Sequence, residues 1–221
     1  MTSRLPKLRE ADMHDTHLPH GTQYWLNILK TLPVATVYEA ADKQGDVSPE
    51  IRPMTEGTRL CGPAFTLKTM PGDNLSVFHA IEQAPPGSVM VIDGGGSIRV
   101  TIWGGTSTVA AQAKGLAGVV TNAAVRDLAE IRECGFPVYA PGTSVRGTSK
   151  NHPGWFNQVL SIGDAIVRPG DIVLGDDDGL LIVAFERIQE ITEKALIKRE
   201  AEVGKEARLR SGESIASVMG Y

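Results

Sequence analysis

The stretch VVTNAAVRDLAEIRECGFPVYA, residues 119–140, holds an apolar run, a short polar turn, an amphipathic segment and a second apolar run. Apolar runs bounded by turn residues predict buried strands, and the amphipathic segment between them predicts a helix. Strand, helix and strand in that order require parallel pairing through a right-handed crossover. Arg126, Asp127 and Glu130 crowd the mouth of this helix. Asp127 and Glu130 are spaced i, i+3, so one helical face carries both carboxylates.

The same alternation extends upstream. Strand SVMVID (88–93) leads through GGGS to strand IRVTIW (98–103), followed by GGTST, helix VAAQAKG and strand AGVVT (117–121). Before it, Trp25, Ile28, Leu29 and Leu32 recur at helical spacing up to Pro33, and a second short helix runs through Val37, Ala40 and Ala41 to Gly45. EGTRLCGPAFTLKTMPG (56–72) suggests a strand pair, with Pro63 confined to an edge or a strand start. DNLSVFHAIEQAPPG (73–87) suggests a helix capped by Asp or Asn and stopped by Pro-Pro-Gly.

Downstream, NQVLSIGDAIVRPGDIVLGDDDGLLIVA (157–184) breaks into short strands at Gly-Asp turns, which predicts antiparallel hairpins. Residues 186–211 form a charged helix with Ile188, Ile191, Leu196, Val203 and Leu209 on a discontinuous apolar stripe, suited to the body or to a neighbouring subunit. The expected fold class is α/β, with a central parallel βαβ portion and antiparallel C-terminal strands. Residues 1–20 are expected as a flexible arm, 21–185 as the body and 186–221 as a helical extension.

Composition narrows the function. The chain has 221 residues, 42% hydrophobic, with 24 Gly and 13 Pro, as expected of a globular protein with many tight turns. A net charge of −4 with both signs dispersed offers no basic face, so nucleic acid is not an expected partner. Cys61 and Cys134 have no metal-ligand spacing and are expected as reduced thiols. The N-terminal residues lack the apolar core of a secretion signal, and no run approaches the roughly 18 apolar residues of a membrane span. The expected location is the cytoplasm, with no membrane partner.

Several motifs compete for the chemistry. DGGGSIRV enters a strand rather than a helix, so it is no dinucleotide fingerprint, and WGGTST lacks the Lys of a phosphate-binding P-loop. WGGTST does form a strand-to-helix turn, whose unpaired N–H groups attract a carboxylate or phosphate; its threonines and serine could equally cap the helix. Asp127 and Glu130 supply two hard oxygen ligands, which suits Mg²⁺ or Mn²⁺ with waters completing the shell. Acids in a first turn also serve the helix dipole alone, and Arg126 could pair with Glu130. If the two turns follow neighbouring parallel strands, the acids, the Arg126 fork and the amides of 104–107 converge at the strands' carboxyl ends, where α/β ligand sites gather.

Gly105, Arg126, Asp127 and Glu130 resemble a motif of the family containing the regulator of ribonuclease E activity A and the class II 4-hydroxy-4-methyl-2-oxoglutarate aldolases. In it a Gly is followed after twenty residues by Arg-Asp, two residues, then Glu or Asp. The similarity extends over about residues 32–185, through CGPAFTL, PPGSVMVIDGGG, AKGLAGVVTNAAVRDLAEI, GFPVYAPGTSVRGTSK and VRPGDIVLGDDDGLLIVA.

The resemblance implies a β/β/α swivelling-domain-like fold, a homotrimer or hexamer with interfacial sites, and divalent-metal pyruvate aldolase or oxaloacetate decarboxylase activity on a small 2-oxo acid. It assigns Asp127 and Glu130 to the hydrated Mg²⁺ (or Mn²⁺), Arg126 to substrate with Asp127 as its catalytic companion, and the backbone of Gly104, Gly105, Thr106 and Ser107 to the substrate carboxylate. Two positions depart from the family: dedicated aldolases of the protocatechuate and gallate pathways carry an acid at the place of Gly105, and NAA before Val125 lacks a customary Gly.

Cleavage of the C3–C4 bond of a 2-oxo acid leaves negative charge that a cation stabilises. Aldol cleavage also needs a base for the C4 hydroxyl, for which a water acidified by the cation is the candidate, because no His falls at a motif position. Rivals are a Schiff base on Lys68, Lys114 or Lys150, and a non-catalytic regulator that binds and inhibits a ribonuclease, which should lack Glu130. GDDDG (175–179) could be a Ca²⁺ loop or a hairpin turn, and His14, His17 and His20 a metal cluster or a solvated tail. His79 is expected in the core or an interface. His152 and Trp155 are candidates for the pocket rim, and Asp93 for the hydrated metal or a loop cap.

Overall fold

The computed structural model describes residues 21–221, so the expected arm 1–20 and the spaced His14, His17 and His20 lie outside the described residues. Chain order is α1 (Thr22–Leu29), α2 (Val34–Ala40), β1 (Arg52–Pro53), β2 (Leu60–Lys68), α3 (Leu75–Gln83), β3 (Val89–Asp93), β4 (Thr101–Trp103), α4 (Gly105–Ala113), β5 (Gly118–Thr121) and β6 (Ala124–Val125). It continues with α5 (Leu128–Cys134), β7 (Val138–Ala140), β8 (Trp155–Phe156), β9 (Leu160–Ile162), β10 (Ala165–Val167), β11 (Ile172–Asp176), β12 (Gly179–Val183), α6 (Ile188–Arg210) and α7 (Ile215–Met219).

The main sheet runs β1-β7-β5-β3-β2-β11-β12, with β8 also on β2. β2, β3, β5 and β7 are mutually parallel, whereas β11 and β12 join antiparallel. This is the α/β class read from the sequence, with a parallel centre and antiparallel C-terminal strands. Strand alternation divides the core by face. In β3, Met90 and Ile92 point into a layer shared with α3, α4 and α5, while Val89 and Val91 face the β9–β10 hairpin across a second layer. Every side chain from Val89 to Ile92 is buried, so the strand is apolar without a break, as a sheet covered on both faces requires. Helices α1, α2 and the first half of α6 cover the antiparallel part through Ile172, Leu174, Leu181 and Val183, and Ile188, Ile191 and Ala195 of α6 close that cluster.

The structure corrects several boundaries. EGTRLCGPAFTLKTMPG is not a strand pair; Leu60–Lys68 is one nine-residue strand, and Pro63 stands in its interior at the sheet centre. Pro63 is tolerated because pairing changes there: β11 partners Leu60 to Pro63, and the parallel neighbour β3 begins only opposite Ala64. The strand expected over 98–103 is confined to Thr101–Trp103, because 94–100 is spent on turns. A two-residue strand, β6, intervenes between β5 and α5, and it pairs in parallel with β4 in a small sheet of its own. Asn74 is the N-cap of α3 but makes no side-chain cap bond; Asp73 Oδ1 accepts from Leu75 N at 3.1 Å instead. GDDDG is a hairpin turn between β11 and β12. Its acids tether neighbours, Asp176 accepting from Val34 N at 2.9 Å and Asp177 from Gly57 N at 2.8 Å.

Gly62 lets β2 approach the β-turn before β3, because a Cβ there would collide with the backbone carbonyl oxygen of Gly87. A backbone atom yields less readily than a side chain. Gly62→Ala should therefore lower unfolding stability by about 2–3 kcal/mol in urea titration; a loss under about 0.5 kcal/mol would show that the two backbones have room to part.

Candidate functional site

Pairing of β4 with β6 sets two strand-to-helix turns side by side, Trp103–Gly105 and Val125–Leu128, and Arg126 N donates to Trp103 O at 3.0 Å. Asp127 is not inside the helix as i, i+3 spacing suggested; it is the N-cap of α5, held at φ 60°, ψ 39°. A left-handed backbone is unfavourable for a residue with a Cβ by roughly 1–2 kcal/mol. An acid at an N-cap ordinarily accepts from its own helix. Here Asp127 makes no such cap bond, and its Oδ2 accepts from Gly105 N of the neighbouring turn at 3.0 Å, with Arg126 Nε 3.4 Å from the same oxygen.

Glu130 reaches the same place. A Cβ on Gly105 would collide with Glu130 Oε2, and one on Gly104 would lie 2.7 Å from Asp127 Oδ2 and 3.3 Å from Arg126 Cγ. The two glycines thus clear the space into which both carboxylates and the guanidinium converge. Gly147 borders Arg126 on its other side, where a Cβ would make only ordinary contact with Nη1 at 3.7 Å. The residues named from the sequence, Gly104, Gly105, Arg126, Asp127 and Glu130, are therefore brought together. Of the amides at the start of α4, Gly105 N is taken by Asp127, and Thr108 N donates to Gly104 O at 3.0 Å. Those of Thr106 and Ser107 have no partner within the helix.

The donor set is two carboxylates, with no group of three or more His, Cys, Asp or Glu side chains among the described residues placed to hold a metal ion. Two hard oxygens with room for water suit Mg²⁺ or Mn²⁺ and not a closed Zn²⁺ site. Arg126, Asp127 and Glu130 are all exposed in the single chain.

Two supports had no sequence signal of their own. Trp103 is fully buried, lies parallel to Phe136 at 6.3 Å, and donates from Nε1 to Thr108 Oγ1 at 2.8 Å. Thr108 Oγ1 in turn donates to Gly104 O at 3.1 Å, so an indole anchored in the core fixes the glycine turn. The other is Asn122, whose Nδ2 donates to Asp93 Oδ1 at 2.8 Å while its Oδ1 accepts from Gly94 N at 2.8 Å. Asp93 also accepts from Gly95 N and pairs with Lys68 at 3.6 Å, so it caps the glycine loop.

The remaining candidates gather elsewhere. Lys68 and Trp155 are register partners, His152 and Trp155 have ring centroids 5.6 Å apart, and Lys150 Nζ lies 5.9 Å from the Phe78 ring centroid. His79 is half-buried on α3. The Lys68 side chain is 56% exposed and Lys150 is exposed, so neither has the desolvation a Schiff-base amine needs, while Lys114 is the half-buried C-cap of α4. The segment carrying Lys150 and His152 is tied down by buried Asp73, which accepts from Ser149 Oγ at 2.8 Å and Asn151 N at 2.7 Å. Burial pushes the Asp73 carboxyl up, but hydrogen bonds from Asn151, Ser149, Leu75 and His152 outweigh it and hold the group below its ordinary value.

The RraA-like family model, Aldolase/RraA, matches residues 34–182. The chain belongs to the RraA-like family. A Halalkalibacterium halodurans relative, provisionally named 4-hydroxy-4-methyl-2-oxoglutarate aldolase, is 31% identical over 193 residues, 87% of this chain and 90% of its own length. An Arabidopsis thaliana relative with a name of the same kind is 41% identical over 133 residues, 59% of this chain and 79% of its own. Among solved structures, an uncharacterised Pseudomonas syringae protein superposes with a TM-score of 0.77 at 26% identity, over 89% of this chain and 97% of that one. The Thermus thermophilus RNA-processing inhibitor RraA superposes with 0.64 at 30% identity, over 68% and 92%. The mixed parallel and antiparallel fold described above matches these two solved structures. No helix among the described residues is long and apolar enough to cross a membrane.

Two stability measurements check this geometry. Thr108→Val leaves the buried Trp103 N–H without its acceptor and should cost about 1–3 kcal/mol; a change under about 0.5 kcal/mol would mean the indole is satisfied otherwise. Asp73 ionises more readily folded than unfolded, so its contribution is complete above the unfolded value and is lost as pH falls through the folded one. The thermal midpoint should fall less steeply with acid, between about pH 5 and pH 2, in Asp73→Asn than in the parent chain; parallel curves would contradict this.

Proposed function

We propose that this RraA-like chain is a divalent-metal-dependent carbon–carbon lyase acting on 2-oxo acids, decarboxylating oxaloacetate and cleaving substrates of the 4-hydroxy-4-methyl-2-oxoglutarate type to pyruvate. The observation that carries the reading is the convergence of Asp127, Glu130 and Arg126 on the Gly104–Gly105 turn. A second support is the naming of relatives as aldolases.

Arg126 presents a planar fork able to hold the substrate carboxylate in two hydrogen bonds. The free Thr106 and Ser107 amides, at the positive end of α4, add donors to the same anion. Asp127, fixed by Gly105 N, and Glu130, folded over Gly105, provide the carboxylates that would hold Mg²⁺ or Mn²⁺. When bound, the ion supplies Lewis-acid stabilisation of the charge that builds on the 2-oxo group as the C3–C4 bond breaks. Arg126 adds its positive field to that charge. Decarboxylation breaks the bond with loss of CO₂ and ends with a proton at C3. It requires no base for a C4 hydroxyl and so makes the smallest demand on the groups present. An exposed site gains little from electrostatics in water, so this reading also has the site covered by a neighbouring copy in a homotrimer or hexamer. It includes neither nucleic acid nor membrane as a partner.

The test is pyruvate release from both substrates with Mg²⁺, with Mn²⁺ and with chelator. Asp127→Ala should lose at least about 100-fold in kcat/KM on both, as should chelation. Arg126→Lys should lose about 10- to 100-fold with an intact fold, because a point charge replaces the fork. Turnover that survives chelator, with a pyruvate adduct trapped by borohydride, would overturn the metal reading. The similarity to an RNA-processing inhibitor motivates a second reading, a docking protein that inhibits a ribonuclease. Absence of turnover on either substrate together with stoichiometric inhibition of such an enzyme would favour it.

A further inference from the structure

Trp103 ends β4 with its ring wholly buried and parallel to that of Phe136. An indole nitrogen can only donate, and Nε1 gives its hydrogen to Thr108 Oγ1 at 2.8 Å. That bond occupies a lone pair of the hydroxyl, whose own hydrogen goes to Gly104 O, 3.1 Å away; Thr108 N donates to the same oxygen at 3.0 Å. Thr108 is fully buried, so its hydroxyl has no solvent alternative. Gly104 O and Gly105 N belong to one peptide group, and Gly105 N donates to Asp127 Oδ2 at 3.0 Å. A continuous relay thus runs from a core indole, through a hydroxyl and a peptide, to a carboxylate at the surface, with every hydrogen pointing the same way.

Aligned hydrogen bonds polarise one another, by about 10–30% per bond. Resonance couples the two ends of a peptide, so donation to Gly104 O makes the Gly105 N–H a stronger donor. Gly105 N and Arg126 Nε, the latter at 3.4 Å, both lie on Oδ2, and no hydrogen bond among the described residues reaches Oδ1. The carboxylate is therefore held by one oxygen and has the other to offer. A helical Thr bonded to the carbonyl four residues back is a common local habit. That habit accounts for neither the indole behind the hydroxyl nor the acid in front of the peptide.

With the reading of Asp127 as a ligand of the divalent ion as premise, we propose that Trp103 and Thr108 are positioning residues for that ion. Their relay orients the Asp127 carboxylate, so that ion affinity depends on a hydroxyl that never touches the ion.

Indole N–H resonances of the full chain, followed by NMR in a Mg²⁺ titration, test it. The chain has three Trp, and Trp103→Phe assigns the resonance in question. Bound Mg²⁺ draws charge from Asp127 and every bond behind it relaxes, so the Trp103 proton should move upfield, while that of Trp25, packed against the α1, α2 and α6 cluster, stays. Asp127→Asn should remove the response. Thr108→Val keeps the indole but cuts the relay; it should abolish the shift and weaken Mn²⁺ binding by about 3- to 10-fold, less than the roughly 10- to 100-fold of a group bonded directly to a ligand. Thr108→Ser, which retains the hydroxyl, should restore both. Should Thr108→Val fail to fold, the parent chain, Asp127→Asn and Thr108→Ser decide. An indole that ignores saturating Mg²⁺ or moves downfield, a shift that persists in Thr108→Val, or parental Mn²⁺ affinity in that variant would overturn the inference and leave the ion site standing. No binding of either ion by the parent chain would remove both.

Discussion

The site depends on one hydrogen bond that crosses between two strand-to-helix turns. Gly105 N donates to Asp127 Oδ2, so the first free amide of α4 is satisfied by the residue that opens α5. For the carboxylate to face that way, Asp127 adopts a left-handed backbone and forgoes capping its own helix. A local cost of about 1–2 kcal/mol persists only where surrounding structure holds it, and here the β4–β6 pairing and the Trp103–Thr108–Gly104 chain do so. Asp42, Lys43, Asn157 and Asp164 adopt the same region elsewhere, so what sets Asp127 apart is the bond its carboxylate makes to the neighbouring turn.

The larger architecture serves this arrangement. A sheet buried on both faces supplies rigid strand ends, and helices α3, α4 and α5 pack on one face through the cluster that includes Trp103, Ile131 and Phe136. β4 and β6 stand apart from the main sheet as a two-stranded pair, which lets their turns meet without disturbing the pairing of β3 with β5. Glycine at 104 and 105 leaves free the volume that side-chain atoms of Asp127, Arg126 and Glu130 occupy, and a Cβ at either place would displace the ends of those side chains and so reshape the site.

Much of this was legible in the sequence. Strict alternation of apolar runs and helices between Val89 and Ala140 specified the parallel centre, and Gly-Asp turns specified the antiparallel strands, because periodicity and turn chemistry are local signals. The convergence of Gly104, Gly105, Arg126, Asp127 and Glu130 followed from two motifs placed at adjacent strand ends. What escaped was set by tertiary contact. β6 is too short to carry a period, Pro63 is tolerated only because β2 changes partners beside it, and the αL cap of Asp127 is imposed by an amide twenty-two positions away. Trp103 looked like one more apolar residue at a strand end, and only the fold pairs its indole with Thr108.

A bound divalent ion at the paired carboxylates is the central claim, and water-proton relaxation in a Mn²⁺ titration measures it without reference to turnover. Expected is one site per chain whose ion retains exchangeable waters, with affinity lost in Asp127→Asn and reduced about 10-fold or more in Glu130→Gln. Mn²⁺ that binds with unchanged affinity in both variants, or not at all in the parent chain, would contradict it.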